Sequence, residues 1–189
     1  AIDRFKEMGP NALPDGENST FFYAFLLCYA AEHGDVDACK YLMNLADYKL
    51  NKKQYTKSAI VYAGRGNSID GVKYFESLGA KNWSDVLGEV SAFPDSEIFK
   101  YVSTKYISNW ETVLSRAAPV CPSIDTFKSL FRKSRDSIDN LYGIACDCAV
   151  SGKWEFLLTV IEQDPELVDE VLSVVEYDLI PVTQLAIDD

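Results

Sequence analysis

Apolar positions recur at helical spacing along most of the chain. Ile98, Phe99 and Val102 form one such set, and Ile124, Phe127, Leu130 and Phe131 form another. Spacing by three and four residues puts these side chains on one face of a helix. Leu167, Val168, Val171, Leu172 and Val175 continue the pattern after Asp164-Pro165, a helix start with proline at the first helical position. The pattern predicts an all-α protein.

The helical segments also repeat. Asn82-Trp83-Ser84-Asp85-Val86-Leu87 returns as Asn109-Trp110-Glu111-Thr112-Val113-Leu114, 27 residues later. A lysine flanked by apolar residues returns as Cys39-Lys40-Tyr41-Leu42, Val72-Lys73-Tyr74-Phe75, Phe99-Lys100-Tyr101-Val102 and Phe127-Lys128-Ser129-Leu130, in steps of 33, 27 and 28. Glu155-Phe156-Leu157-Leu158 makes a fifth copy. Each unit reads as two short helices. The first ends at a small residue: Ala30-Ala31, Tyr62-Ala63, Ser91-Ala92, Ala117-Ala118 and Cys148-Ala149. Glycine or proline then breaks the chain. The second helix starts at a capping residue: Asp35, Asn67 or Ser68, Asp95, and Ser123. One such pair cannot bury its apolar face alone, whereas stacked pairs can.

Ala30-Ala31-Glu32-His33-Gly34-Asp35-Val36-Asp37-Ala38-Cys39-Lys40-Tyr41-Leu42 resembles an ankyrin repeat, and Ala63-Gly64-Arg65-Gly66 through Leu78-Gly79-Ala80 resembles it again. The resemblance covers roughly residues 20–165. It departs from the family in lacking the Thr-Pro-Leu-His start. Its third and fourth units span only 27–28 residues, against about 33 in the family; the projecting hairpin is the expected place of the loss. The short, Asn-Trp-bearing style is similar to the divergent ankyrin proteins of large DNA viruses and intracellular parasites. The resemblance implies a solenoid of about five helix pairs over residues 20–163. Residues 1–19 are expected as an arm or cap, and residues 164–189 as capping helices. It also implies a non-enzymatic module that binds a host signalling or defence protein in the cytoplasm through its concave face.

Composition narrows the alternatives. The chain is 48% hydrophobic and 25% charged, too apolar for a disordered segment. Its net charge of −11 argues against a dedicated nucleic-acid binder. The longest apolar run, from Phe21 to Ala31, is about half the ~20 residues a membrane helix requires. Asp3, Arg4, Lys6 and Glu7 interrupt any secretory signal over the first residues. The charge is uneven. Residues 100–135 carry 7 basic and 2 acidic side chains, whereas residues 136–189 carry 1 basic and 13 acidic. That asymmetry suits head-to-tail contacts between copies, which makes a self-associating assembly protein the rival reading. The basic segment could also meet an acidic partner, form a solvated face, or neutralise the acidic last third.

Little chemistry is legible. Cys28, Cys39, Cys121, Cys146 and Cys148 include no Cys-x-x-Cys pair, and the single histidine is His33. They read as buried thiols of a reducing compartment, with no metal or cofactor expected. His33 lacks a nucleophile motif, and Gly64-Arg65-Gly66 lacks the Lys-Ser/Thr close of a phosphate loop. Glu166, Asp169 and Glu170 read as a solvated helix face. Trp83 and Trp110 recur in phase, so they are expected to pack one unit on the next. In an ankyrin-like stack the exposed positions of the first helices line the concave face. By phase these are Tyr29, Val61, Glu89, Arg116 and Asp147. Their chemistry changes from unit to unit, as a surface shaped for one partner requires.

Overall fold

The computed structural model describes residues 17–45, 52–138, 140–171 and 173. Among them there are ten α-helices and no strand. The helices are α1 (Glu17–Glu32), α2 (Val36–Leu45), α3 (Lys52–Arg65), α4 (Ile69–Ser77), α5 (Trp83–Val90), α6 (Glu97–Val102), α7 (Trp110–Val120), α8 (Ile124–Ser134), α9 (Tyr142–Val150) and α10 (Trp154–Ile161). A helical turn follows at 167–171. Most of the arm expected over 1–19 and the end of the capping segment, from 174 onward, lie outside the described residues.

The helices form two layers. The odd-numbered helices α1, α3, α5, α7 and α9 pack each on the next, and each is backed by the helix that follows it in sequence. The inner approach is close because the facing side chains are small. Ala30, Ala63, Ala117 and Ala118 have no exposed surface. A Cβ at Gly88 would lie 2.5 Å from the Cβ of Arg116, so at this point α5 comes as close to α7 as it does because the residue has no side chain. Gly66 is tighter: a Cβ there would come within 1.7 Å of the Glu32 carbonyl oxygen at the end of α1. The repeated small pairs thus do the packing work their phase suggests.

Between the layers lie the large side chains of the second helices. Phe75, Phe127, Ile98 and Leu42 are fully buried, and Phe127 stacks on Phe156 with ring centroids 4.4 Å apart, tying α8 to α10. Trp83 is also in the core, and Trp110 is half-buried against it.

Side chains cap the second helices. Asp35 accepts the Ala38 amide at 2.8 Å, Ser68 the Gly71 amide at 3.1 Å, and Ser123 the Thr126 amide at 3.3 Å. Each satisfies one orphan donor of a first helical turn. The third cap is Ser96, one residue beyond the expected Asp95; it accepts the Phe99 amide at 3.2 Å. At the second, Asn67 takes a positive φ of 55° and leaves the capping to Ser68. The α7 helix runs past Ala118 to Val120 despite Pro119, and the Cys121 amide closes its last turn on the Ala117 carbonyl at 2.8 Å.

The shortening of the third unit is not where it was expected. The α5 and α6 helices have 8 and 6 residues, against 14 and 9 in α3 and α4. Helical turns are missing, whereas the links at 78–82 and 103–109 are of ordinary length.

Candidate interaction surface

The sequence places one side chain from each first helix at the same phase, and the structure gives the five different surroundings. Tyr29 on α1 is 38% exposed. Val61 on α3 and Asp147 on α9 are half-buried. Glu89 on α5 was expected at the surface, yet its side chain is only 5% exposed. Arg116 on α7 is partly exposed and turns back onto Glu89.

Glu89 and Arg116 belong to an ionic clamp that spans three inner helices. Arg65 of α3 donates to both Glu89 oxygens, at 3.1 and 3.0 Å. Arg116 Nη1 donates to Glu89 Oε1 at 2.9 Å, and its Nε lies 2.9 Å from Asp85 Oδ1. The guanidinium of Arg65 also rests 5.0 Å above the Tyr62 ring. A carboxylate this deep needs a cationic partner, because an unpaired buried charge is strongly destabilising. Hydrogen bonding to Glu89 raises the Arg65 pKa further above its ordinary value. Sequence reading missed Arg65 and Asp85. Arg65 sits between two glycines and looks like part of a turn, but it is the last residue of α3.

A second polar cluster ties α4 to α6 and the link that follows it. Lys105 Nζ donates to Glu76 at 2.7 Å and to the Tyr101 hydroxyl at 3.0 Å, and Tyr101 donates to Glu76. Burial alone would push the Glu76 carboxyl up. The hydrogen bonds from Lys105 and Tyr101 outweigh it and hold that carboxyl below its usual range. Two cations of the basic segment, Lys105 and Arg116, thus neutralise acids of the preceding units rather than of the last third.

The first inner helix differs. The α1 helix is apolar on nearly every side, so packing cannot hide all of it. Phe25 is 66% exposed, and Phe22 is exposed beside it. Phe25, Tyr29 and His33 follow at one-turn intervals; Tyr29 stacks on His33 at 4.0 Å and on Phe25 at 6.4 Å. Between α1 and α3 a groove of about 300 Å³ is lined by Phe25, Tyr29, Glu32, Tyr55 and Tyr62 among others. A larger cleft of about 680 Å³ opens at the N-terminal ends of α5 and α7, lined by Trp83, Asp85, Asn109 and Thr112 with Lys57 and Lys81. Tyr29 was expected at the surface by its phase, whereas Phe22 and Phe25 were hidden in the sequence inside the apolar run from Phe21 to Ala31. Their exposure depends on which faces α2 and α3 cover.

Burial raises the thiols. It lifts Cys39 and Cys148 to about 12 and Cys28 to about 11. Among the described residues, no group of three His, Cys, Asp or Glu side chains could hold a metal ion, and no helix is long and apolar enough to cross a membrane. No family model, curated protein or solved structure matches the chain.

Proposed function

We propose that the five helix pairs are turns of a divergent ankyrin-like solenoid, and that the chain is a non-enzymatic protein-binding module. The observation that carries this reading is the aromatic face of α1, where Phe22, Phe25 and Tyr29 stand exposed beside the α1–α3 groove. Exposed aromatic rings grouped on one rigid face are the usual anchors of protein interfaces. Further along, the position that Tyr29 holds on α1 is taken up by Glu89, buried in its clamp, so the open end at α1 and α3 is the part that takes the partner. The family resemblance makes a host signalling or defence protein in the cytoplasm the partner to look for.

A photo-crosslinking amino acid at position 25 tests this. In eukaryotic lysate it should capture a discrete protein that the same group at position 100, on α6, does not. Equal capture at both positions, or none at position 25, would remove the α1 face as the binding site.

A further inference from the structure

Helical spacing builds both walls of the groove between α1 and α3. On α1, Phe25, Tyr29 and Glu32 follow at steps of four and three residues; on α3, Tyr55, Ser58 and Tyr62 follow at steps of three and four. Each set shares one helix face, and all six residues line the groove. Four of the six carry aromatic rings. The space of about 300 Å³ is at the small end of the ~300–1,000 Å³ usual for ligand pockets, so it takes one long side chain rather than a helix.

Glu32 is the one charged side chain among the described residues that line the groove. It is half-buried. With the described residues its side chain makes no ion pair and no hydrogen bond. Arg65 feels its charge but gives Nε and Nη2 to Glu89. In that clamp two arginines face two acids, Glu89 and Asp85, so its charges balance. Glu32 is left as an uncompensated negative charge beside aromatic rings. Its charge also acts on the groove wall: burial first, and Glu32 second, push the Cys28 thiol up to about 11. The junction is rigid, because Gly66, just past the end of α3, lies directly against the Glu32 carbonyl.

Aromatic rings with an acid among them select a cation. The rings attract it through their quadrupole, and the carboxylate accepts its hydrogen bonds. A planar guanidinium does both at once, because its donors point outward in the plane that lies along a ring. The clamp supplies an example: the Arg65 guanidinium rests 5.0 Å above the Tyr62 ring while donating to both Glu89 oxygens. We propose that the groove takes an arginine side chain of the protein partner, with its guanidinium against the tyrosine rings and its N–H donors on Glu32. This rests on the α1 face being the binding site, and adds the chemistry of the residue that enters it. The net charge of −11 favours the approach of a basic segment.

The test uses two probes of the same shape, N-acetyl-arginine methylamide and N-acetyl-citrulline methylamide, at matched ionic strength. Citrulline replaces the guanidinium by a neutral urea group. Each is titrated into the tens of millimolar against the isotope-labelled chain and followed by NMR. The arginine probe should shift the ring signals of Tyr29, Tyr55 and Tyr62 and saturate. Tyr106, 84% exposed and outside the groove, should not follow. The citrulline probe should bind at least about ten-fold more weakly, as loss of a charge-assisted hydrogen bond implies. Glu32→Gln should lower the arginine probe to the citrulline level and melt within a degree or two of the wild type. Equal binding of the two probes, no binding by either, or an arginine preference that survives Glu32→Gln overturns the proposal. Capture at position 25 is the separate check on the reading beneath it. Capture with equal probe binding removes only the arginine, whereas arginine binding without capture removes the α1 face as a protein-binding site.

Discussion

The inner faces of α1 and α5 occupy the same place in their repeats and do opposite things. At α5 the surface position is Glu89, drawn inward between Arg65 and Arg116 and lost to solvent. At α1 it is Tyr29, stacked between Phe25 and His33 and open. The difference lies in the neighbours. The α5 helix has an inner helix on each side, each placing an arginine within reach. Among the described residues α1 has such a neighbour only on the α3 side. Repeat phase sets where a side chain starts from, and the adjacent helices decide whether it stays exposed.

The contrast can be broken by removing both cations of the clamp. Arg65→Ala with Arg116→Ala leaves Glu89 buried and unpaired, and should lower unfolding stability by about 3–5 kcal/mol in urea. Either single change should do much less, because the second arginine remains. Next in size is Gly66→Ala. The Glu32 carbonyl occupies the space its Cβ needs, and backbone does not yield as a side-chain end would. The expected loss is about 2–3 kcal/mol in the same experiment, together with faster amide exchange at the end of α1.

Much of this fold was legible in the sequence. Helical spacing, the small pairs and the caps Asp35, Ser68 and Ser123 all report local backbone preference, which a sequence carries directly. Ser96 displaced Asp95 because two adjacent residues could both cap, and the link decides which one stands at the helix start. The site was less legible. The pairing of Glu89 with Arg65 spans 24 residues and that with Arg116 spans 27. Such long-range partners are set by how the helices stack, which no local pattern encodes. On α1 the sequence singled out Tyr29 but not Phe22 or Phe25, for the opposite reason. Its apolar run reads as core, and only the packing of α2 and α3 leaves Phe25 uncovered.

The Glu76 cluster sharpens the comparison at smaller scale. Its carboxyl is held below the usual range, so its unfolded pKa is the higher one. The stability it adds is full above the unfolded value of about 4.3 and is lost as pH falls through the folded value. Glu76→Gln should therefore flatten the acid limb of a melting-temperature profile while costing about 1 kcal/mol at neutral pH. Smaller again in its effect on stability is thiol chemistry. With Cys39 and Cys148 raised to about 12, their thiolate fraction at neutral pH is about a thousandth of that of an ordinary thiol. In the native protein they should react with a disulfide reagent only as fast as the fold opens.

The measurement that tests the contrast most directly sets two substitutions side by side, Tyr29→Ala and Glu89→Gln, scored for melting temperature and for partner capture at position 25. If the α1 face binds and the α5 face holds the stack, Tyr29→Ala melts within a degree or two of the wild type and loses capture. Glu89→Gln melts several degrees lower and, below its own transition, keeps capture. The reverse assignment, with Glu89 needed for capture at unchanged stability or Tyr29 needed for stability alone, would contradict the account.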